Sequence, residues 1–585
     1  MYQSKTGPND DQNITNMTNN SERAANIDGI KAAEFDVLII GAGINGVSTF
    51  RELALNGVSV LLVDKHDYCS GTSAAPSRLI HGGIKYLENG EFRLVAESTH
   101  ERNRLLHNAP HLVKPLPCTV PFYSWFGGLF NSAFKFFRLP VKGFKKRGRL
   151  VVKIGMSIYD WLGRKRRVMP KHEVRGAKQS LQMFPGIDPS VISTATYYDA
   201  LITQPERLCL ELVTDTLRDT ASQNHHCAAL NYASVVSASG DVVTIADELS
   251  GQQITVQPKL VVNAGGPWID PINALMGIDS HYIGGSKGSH LILDHPQMLA
   301  SLSGHMMYFE TGDNRLCLAY PIGDRVLVGT TDIRVDDPDS VKCDEEEIDY
   351  LIAAMAELLP GIPFTREHIV YSYTGVRPLP FDDGVGVGSV TRDHSIEVDE
   401  ATAERPFDVA SLVGGKWTTF RAFGEVAADL VMDKLQQVRS VDTYQLGIGG
   451  GREFPAEDSA DVVIQSLSEQ YNLSTAIVGS MMERYGRNEG VLSAVAEAGG
   501  ATPLQSLPSY LLGEIRYHCT QEHVVHLDDL IFRRTTIALE GRATEALVAE
   551  IASIAAPLLG WDESRRAEEI ERCNFRLRTN ARGVV

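Results

Sequence analysis

Three glycines with the spacing of a phosphate-binding loop follow the first apolar run of the chain. Gly41, Gly43 and Gly46 come directly after residues 36–40. In such a loop the first glycine makes the tight turn, the second lets the backbone approach a pyrophosphate, and the third allows close packing of helix against strand. The N-terminus of the following helix offers unpaired N–H groups to phosphate oxygens. The loop therefore predicts a dinucleotide-binding site.

The elements predicted around this loop are those that such a site requires. Residues 36–40 form a buried-strand run typical of parallel sheets, residues 47–55 have helical spacing, and residues 58–63 predict a second strand that ends at Asp64. A carboxylate here can accept hydrogen bonds from both ribose hydroxyls, which favours a cofactor without a 2′-phosphate. The alternative is a packing loop in an unrelated sheet, and the order of these elements argues against it.

The number of dinucleotide-binding loops indicates which molecule supplies the electrons. The glycine-rich stretches at 384–388 and 447–451 lack the flanking strand, helix and acid, so the sequence predicts one dinucleotide site. A flavoenzyme reduced by NAD(P)H usually needs a second nucleotide site. If the loop holds FAD, we therefore expect the substrate itself to be the electron donor.

Length and composition narrow the class of protein. A chain of 585 residues is too long for one core, because cores stop growing near about 250–300 residues. With 43% hydrophobic and 22% charged residues, it is neither wholly disordered, collagenous nor a coiled coil. The net charge of −18 disfavours general nucleic-acid binding. Eight cysteines without a CxxC pair suit reduced thiols in the cytoplasm and predict no disulfide scaffold or metal site. No secretory signal or membrane-spanning run is predicted.

The chain divides into regions of different character. Residues 1–34 are polar and predict a disordered tail, because they offer little apolar surface to bury. Residues 35–450 mix strands and helices. Residues 452–585 contain amphipathic stretches at helical period and predict a separate helical domain.

Several ordered stretches carry a resemblance to a known family. Residues 71–88 closely resemble the flavin-contacting segment of FAD-dependent, quinone-linked glycerol-3-phosphate dehydrogenases. Further stretches occur in the order found in that family. They are residues 263–268, 287–290, 329–332, 375–379 with 391–393, 414–421, 514–517 and 528–535. The resemblance runs from about residue 35 to 575.

The resemblance implies a fold class and a cofactor. The fold would be α/β, with an FAD-binding Rossmann-like domain of the glutathione-reductase and D-amino-acid-oxidase type, a β-rich substrate domain and a C-terminal α-helical domain. The FAD-binding parts would span about 35–120, 195–280 and 370–445, and the substrate-domain parts about 121–194 and 281–369. The implied FAD-binding residues are Gly41, Gly43, Ile44, Asn45, Gly46, Asp64, Lys65, Thr72, Ser73, Ser77, Leu79, His81, Gly82, Gly83, Ala264, Gly265, Gly415, Lys416, Thr418 and Thr419.

The family also implies an activity: hydride transfer from a secondary alcohol to flavin N5, with membrane quinone as electron acceptor. The turn before a helix opening at Thr418 and Thr419 would stabilise negative charge on the reduced ring. The substrate would be sn-glycerol 3-phosphate, oxidised to dihydroxyacetone phosphate. Oxygen is an alternative acceptor.

The same resemblance assigns the substrate site. Arg377 and Arg392 suit phosphate recognition, since guanidinium binds oxygens bidentately. Lys416 would contact phosphate or hydroxyl. His290 would take the hydroxyl proton, although a core or surface histidine is the alternative. The predicted catalytic residues are His290, Arg377 and Lys416, and the predicted substrate-binding residues are Lys85, Tyr86, Arg377, Arg392 and Lys416.

Two departures from the family leave the exact polyol phosphate open. Lys85 stands where the family typically has arginine. The lysine keeps the positive charge but lacks the bidentate fork of a guanidinium. Pro205-Glu206-Arg207-Leu208 stands where the family has an Asp-Ala-Arg-Leu ending. A longer substrate such as an erythritol phosphate is one explanation, and neutral drift is the other.

A basic aromatic segment predicts a membrane contact. Residues 134–171 hold 13 Lys or Arg and one acid, a net charge of +12 that leaves −30 for the rest of the chain. Aromatic residues are frequent from 122 to 137. Aromatic anchors beside a polybasic run are typical of interfacial segments, so 122–171 would bind anionic lipid near the quinone, with the protein peripheral on the inner face of the membrane. The alternatives are a solvated loop or an RNA-binding flavoprotein without this activity, although no nucleic-acid partner is expected. A homodimer stays open.

Overall fold

A computed structural model describes residues 19–83, 91–125, 156, 169–312, 315–382 and 393–580, with the side chains of 19–22, 457 and 580 left out. The strands are β1 (Val37–Ile40), β2 (Val60–Val63), β3 (Leu79–Ile80), β4 (Val113–Phe122), β5 (Glu173–Gly176), β6 (Ser193–Ile202), β7 (Cys227–Leu230), β8 (Ala233–Ser239), β9 (Val242–Asp247), β10 (Gln253–Val256), β11 (Leu260–Asn263), β12 (Ile283–Leu293), β13 (Met306–Glu310), β14 (Leu316–Ile322), β15 (Arg325–Gly329), β16 (Ile333–Arg334), β17 (Ile369–Pro380), β18 (Ser395–Asp399) and β19 (Asp408–Val413).

The helices are numbered in chain order like the strands. They are α1 (Asn19–Ala32), α2 (Ile44–Leu55), α3 (Phe92–Asn108), α4 (Ala177–Met183), α5 (Pro205–Thr220), α6 (Ile269–Leu275), α7 (Pro296–Ser301), α8 (Glu345–Leu358), α9 (Phe420–Lys434), α10 (Ala460–Tyr471), α11 (Thr475–Tyr485), α12 (Glu489–Ala496), α13 (Leu512–Gln521), α14 (Leu527–Asp529), α15 (Glu545–Leu559) and α16 (Glu563–Asn580).

A mostly parallel sheet positions the glycine loop. Its strand order is β18-β19-β11-β1-β2-β7, with only the β18–β19 pair antiparallel among the described strands. Side chains alternate between the two faces of a strand. In β1, Val37 and Ile39 join the core formed with α2, α5 and α9. Leu38 and Ile40 join the core formed with the antiparallel sheet β10-β9-β8. Both faces are covered, which is why β1 reads as a continuous apolar run.

A second, larger sheet carries the other side of the site. Its path is β16-β12-β15-β14-β13-β4-β6-β3, with β17 paired to β12 and β5 paired to β6. The long strand β12 pairs along most of its length with β17, and its two ends pair on the other side with β16 and β15. This arrangement places His290 of β12 opposite Gly329 of β15 and Tyr373 of β17.

The predicted disordered tail at residues 1–34 is wrong for its last part, because α1 (Asn19–Ala32) is a helix. Ile27 and Ile30 are buried in the core beneath the three-stranded sheet. Arg23 forms an ion pair with Asp247 at 2.6 Å and donates to the carbonyl of Asn231 at 2.7 Å. Tertiary packing of two apolar residues and one paired, partly buried cation therefore stabilises a helix whose own composition is polar.

The predicted division between the two domains also needs correction. Residues 370–380 were assigned to the FAD-binding part, but β17 belongs to the larger sheet through β12. The strands β4 and β6 also belong to that sheet, although most of each lies within ranges assigned to FAD binding. A strand's sheet is decided by partners remote in sequence, and local pattern does not report them.

The C-terminal region from α10 to α16 is helical, and its described residues form no named strand. Helices α10 to α12 have a core of their own. The segment from Leu504 to Leu577 instead shares one core with the larger sheet, through residues such as Leu116, Ile292 and Leu327. The C-terminal region is thus packed onto the α/β region. Within the described residues, no helix has the length and apolar character needed to cross a bilayer.

Candidate active site

A single cavity connects the glycine loop with the wall formed by β12 and β17. Its volume is about 2440 Å³. Ligand pockets are typically about 300–1,000 Å³, so this cavity has room for a dinucleotide and a second small molecule. Most of the predicted cofactor residues line it. They are Gly41, Gly43, Ile44, Asn45, Asp64, Lys65, Thr72, Ser73, Ser77, Leu79, His81, Gly83, Ala264, Gly265, Gly415, Lys416 and Thr418.

The three remaining residues of the predicted set, Gly46, Gly82 and Thr419, lie behind the cavity wall. A Cβ on Gly46 would lie 1.9 Å from the carbonyl oxygen of Gly41, so glycine is required for helix α2 to approach the loop. The N–H of Gly82 donates to Asp199 Oδ1 at 3.0 Å. These residues shape the site through packing.

The phosphate-binding part of the loop has the expected geometry. Gly41 has a φ of +103°, and a Cβ there would lie 2.6 Å from the carbonyl oxygen of Ala264. Helix α2 begins at Ile44, whose N–H donates to Ser73 Oγ at 3.0 Å. The helix N-terminus faces the cavity and provides the positive end of the helix dipole to a pyrophosphate.

Asp64 follows β2 at the end of the cavity that a ribose would occupy. Its Oδ2 accepts the N–H of Ala42 at 2.7 Å and its Oδ1 accepts the N–H of His66 at 2.9 Å. Burial raises the pKa of Asp64 to about 6, against the opposing effect of these two hydrogen bonds. A carboxylate has about four lone-pair sites, so two stay available for ribose hydroxyls.

A turn with two glycines also meets the loop. Gly414 and Gly415 have φ values of +77° and +91°. Asn45 Nδ2 donates to the carbonyl of Gly414 at 3.1 Å, and a Cβ on Gly415 would lie 2.6 Å from that nitrogen. A short 3-10 turn, Trp417–Thr419, then leads into α9 (Phe420–Lys434). The Oγ1 of Thr418 accepts the N–H of His81 at 3.1 Å.

A buried polar atom beside this turn fits a bound flavin. Asn45 lines the cavity, and its Oδ1 is buried with no hydrogen-bond partner among the described residues. Buried polar groups are normally paired, so this atom indicates a ligand or ordered water. Together with the glycine loop, Asp64 and the size of the cavity, it fits FAD with its diphosphate at α2 and its ring beside Gly415.

His290 lies on β12 in the cavity wall. Its ring stacks on Tyr373 with centroids 4.8 Å apart, and its Nε2 is 2.8 Å from Ser77 Oγ. Nδ1 is buried and has no hydrogen-bond partner in the described part of the chain. Burial, reinforced by the charges of Arg377 and Arg78, lowers the pKa of His290 to about 3. The imidazole is therefore neutral at physiological pH and is able to accept a proton.

Arg377 is held against the same wall by several acceptors. Its Nη1 lies 3.2 Å from Asp332 Oδ1, and its Nη2 donates to Thr330 Oγ1 at 3.0 Å and to the carbonyl of Thr331 at 3.2 Å. Gly288 makes room for this guanidinium, because a Cβ there would lie 2.0 Å from Nη2. The side chain is 24% exposed and faces the cavity. Because its acceptors fix the guanidinium in place, the group is preorganised to bind an anion.

Lys416 extends from the glycine turn into the cavity. Burial lowers its pKa to about 8, partly opposed by the carboxylates of Glu97, Asp393 and Glu91. The ammonium is mostly charged at pH 7. The structure thus places three predicted catalytic residues, His290, Arg377 and Lys416, on the walls of one cavity.

Other predicted residues lie elsewhere or outside the described part. Lys85, Tyr86 and Arg392 lie outside the described residues, as do 126–155 and 157–168 of the basic segment. Glu206 forms a buried ion pair with Arg78 at 3.0 Å, and Arg207 is buried against Glu522. Neither Glu206 nor Arg207 lines the cavity. The Pro205-Glu206-Arg207 departure from the family is therefore accommodated in packing beside the site.

Sequence reasoning missed several cavity residues. Glu91, Arg315, Arg533, Arg572 and Arg576 line the cavity as well. Arg533 belongs to a stretch that resembles the family, which was a usable signal. No local pattern marks Arg572 or Arg576, because an arginine on a charged helix is usually solvated.

The parallel sheet, the glycine loop and the cavity define an FAD-dependent oxidoreductase. Comparison with protein families agrees: residues 36–430 match the FAD-dependent oxidoreductase model, and residues 441–566 match the C-terminal domain of alpha-glycerophosphate oxidase. The predicted fold class and cofactor are confirmed.

Individual relatives show which group of FAD-dependent oxidoreductases the chain is similar to. A glycerol-3-phosphate dehydrogenase of Synechocystis is 33% identical over 540 residues, covering 88% of this chain and 91% of the relative. A D-erythritol 1-phosphate dehydrogenase of Brucella abortus is 30% identical, covering 86% of this chain and 94% of the relative. The structure of a Bacillus halodurans glycerol-3-phosphate dehydrogenase complexed with FAD superimposes with a TM-score of 0.72 at 24% identity, covering 96% and 97% of the two chains. The chain belongs to the FAD-dependent glycerol-3-phosphate dehydrogenase and oxidase family.

Proposed function

We propose that this flavoenzyme oxidises sn-glycerol 3-phosphate to dihydroxyacetone phosphate and passes the electrons to membrane quinone. The observation that supports the reaction is the placing of His290, Arg377 and Lys416 around one cavity with the dinucleotide loop. A base and two cations are what a phosphorylated secondary alcohol requires.

Separate residues bind the phosphate and accept the hydroxyl proton. Arg377, fixed by Asp332 and Thr330, binds phosphate oxygens through the edge of its guanidinium that faces the cavity. Lys416 adds a second positive charge from the glycine turn. FAD held by the glycine loop, Asp64 and the turn at Gly415 would supply the acceptor for the hydride from the carbon that carries the hydroxyl group. The hydroxyl proton passes to His290 Nε2 through Ser77 Oγ, which lies 2.8 Å from that nitrogen and lines the cavity.

Substrate binding increases the basicity of His290 in this scheme. The charge of Arg377 contributes to the low pKa of the imidazole. A phosphate dianion bound at Arg377 offsets that charge, so the pKa of His290 rises when substrate is present. The base is thus strengthened in the complex that needs it.

A longer polyol phosphate is the second candidate substrate. The similarity to the Brucella abortus enzyme and the lysine at position 85 favour it. The two substrates differ by one hydroxymethylene unit, so the discrimination lies in the shape of the cavity wall.

Anaerobic mixing separates the two candidates. Purified holoenzyme is mixed with sn-glycerol 3-phosphate or with D-erythritol 1-phosphate, and the bleaching of the flavin absorbance is followed. We expect faster bleaching at lower concentration with glycerol 3-phosphate, and dihydroxyacetone phosphate as its product. Preferential bleaching by the tetritol phosphate would assign the second candidate, and bleaching by neither would contradict the proposal.

The acceptor and the site of action form a separate part of the proposal. We infer a peripheral position on the inner face of the membrane from the basic aromatic segment at 122–171, where quinone is within reach. Deleting residues 124–150 should release the protein from anionic liposomes and spare its activity with a soluble dye. Undiminished liposome binding would reject the attachment. Faster reoxidation of the reduced enzyme by air than by a quinone analogue would reject the acceptor.

A further inference from the structure

The C-terminal helical region contributes arginines to the cavity of the dinucleotide loop. Arg533 follows α14, and Arg572 and Arg576 lie on α16. All three line the cavity together with Asp64, Lys65 and His66. These arginines are about 470 to 510 positions from Asp64, Lys65 and His66 in sequence, and the predicted cofactor set contained none of them.

Their charges act on the loop that follows the ribose-binding carboxylate. The pKa of His66 is lowered mainly by burial, and Lys65, Arg533 and Arg576 lower it further through their charges. This effect, together with the shared cavity wall, places Arg576 beside the adenosine end of the cofactor site.

The loop and the C-terminal region are joined by buried ion pairs. Arg534 Nη1 and Nη2 lie 2.5 Å and 3.0 Å from the two carboxylate oxygens of Asp67, and Arg533 Nε lies 2.5 Å from its Oδ2. Asp67 is fully buried and only three residues beyond Asp64. The C-terminal region is thus fixed directly to the loop that would hold the adenosine.

Arg572 and Arg576 are much more exposed than Arg533, which is buried in its ion pairs. Arg576 Nη1 lies 3.2 Å from Asp528 Oδ2, and Arg572 Nε lies 3.5 Å from the same oxygen. Two cations therefore share one buried carboxylate. Arg576 also stacks on Phe532 at 4.5 Å. Arg572 Nη1 lies 3.2 Å from His526 Nε2. The two side chains are still 39% and 48% exposed and line the cavity, so part of each guanidinium is accessible to a ligand.

We propose that Arg572 and Arg576 bind the adenosine diphosphate half of FAD, so that the C-terminal helical region completes the cofactor site. A guanidinium stacks on planar rings and donates to ribose or phosphate oxygens. Asp528 orients the pair from behind. This role concerns retention of the cofactor and is independent of which polyol phosphate is oxidised.

Direct titration of the apoprotein with FAD tests the proposal. Arg572→Ala, Arg576→Ala and the double variant are prepared as apoproteins, and binding is followed by quenching of FAD fluorescence. We expect the double variant to raise the Kd for FAD about tenfold, the size of a partly desolvated cation–π or charged hydrogen-bond contact. ADP, which carries the adenosine diphosphate but no flavin, should show the same loss when used as a competitor.

Arg578→Ala is the matched control. Arg578 lies on the same helix, pairs with Glu571 at 2.8 Å, and does not line the cavity. We expect its Kd for FAD to equal that of the wild type. The double variant leaves the buried Asp528 without its two cations and should unfold at a lower temperature, so Asp528→Asn is added to it to remove that unpaired charge. The proposal is overturned if the double variant binds FAD and ADP as the wild type does. It is also overturned if affinity returns when Asp528→Asn is added, which would indicate that the unpaired carboxylate and not the missing guanidinium groups weakened binding, or if Arg578→Ala reproduces the loss.

Discussion

The residue that most needs explanation is a buried histidine with little basicity. His290 stays neutral down to about pH 3, because burial and two arginines disfavour its charged form. In the absence of substrate His290 is a weak base, but its imidazole is always in the neutral form that can accept a proton. Its contact with Ser77 gives the proton a route from the cavity to the ring.

His290→Asn should therefore lower kcat by about 10²–10⁴, the usual contribution of a general base, and leave KM nearly unchanged. Ser77→Ala should lower kcat in the same direction but less. Steady-state kinetics with a dye acceptor measure both effects. A His290→Asn enzyme with wild-type kcat would show that the proton leaves by another path.

Lys416 should make substrate binding depend on pH in the alkaline range. Its pKa is lowered to about 8, so the ammonium is charged below pH 8 and loses its charge as pH rises through that value. We expect KM for the phosphorylated substrate to rise above about pH 8, because one of its cations disappears. In Lys416→Arg the charge persists, and the alkaline rise in KM should be absent although KM at pH 7 is altered. A rise of equal size in both enzymes would assign it to another group.

At the scale of elements, the glycine loop depends on contacts too close for any side chain. A Cβ on Gly46 would lie 1.9 Å from the carbonyl of Gly41, which no rotamer relieves. Helix α2 would have to move away from the loop, and its N-terminus would leave the position of the diphosphate.

Gly46→Ala should consequently yield protein that purifies without FAD. Absorbance at the flavin maximum relative to that at 280 nm measures the occupancy. Gly479→Ala is the control, since Gly479 lies within helix α11 and a Cβ there meets nothing within 4 Å. We expect that control to keep full occupancy and to gain up to about 1 kcal/mol of stability from helix propensity. Full occupancy in Gly46→Ala would contradict the assigned role.

Local pattern predicted those elements whose cause is local. The first strand, the loop, helix α2 and Asp64 lie within 30 residues and appear in the predicted order. Helix α1 was missed, because Ile27 and Ile30 gain their stability from a sheet more than 200 residues away. For the same reason β17 was assigned to the wrong sheet.

The candidate site was predictable to a similar extent. His290, Arg377 and Lys416 were found through short motifs, which lie on β12, on β17 and on the turn between β19 and α9. Arg572 and Arg576 were not, since their place in the cavity follows from how α16 docks on the α/β region. Nothing in a helix's own sequence reports that docking.

At the scale of the whole molecule, buried ion pairs join the C-terminal region to the α/β region. Arg207 of α5 contacts Glu522 after α13, with Nη2 3.1 Å from Oε2, and donates to the carbonyl of Arg534 at 3.1 Å. His518 Nδ1 lies 2.7 Å from the same carboxylate. Arg534 in turn pairs with Asp67 beside the cofactor loop. A continuous charged network therefore runs from the helical core to the dinucleotide site.

Glu522→Gln tests how much this network stabilises the fold. The substitution leaves the fully buried Arg207 without its carboxylate, and breaking a buried pair from one side costs about 3–5 kcal/mol. Urea unfolding followed by intrinsic fluorescence should show that loss at pH 7. Glu563→Gln is the control, because Glu563 is 80% exposed and pairs with Arg566 on the surface, where such pairs contribute at most about 1 kcal/mol.

The pH dependence of the same variant gives an independent check. Arg207 and His518 hold the pKa of Glu522 below its ordinary value, despite burial. A carboxyl whose folded pKa is lowered contributes stability above its unfolded pKa, and that contribution is lost as pH falls. The difference between wild type and Glu522→Gln should therefore be full at pH 7 and narrow below about pH 4.5, the ordinary range of a glutamate. A difference as small as that of Glu563→Gln at pH 7, or one that stays constant on acidification, would mean that the charge of Glu522 does not join the two regions.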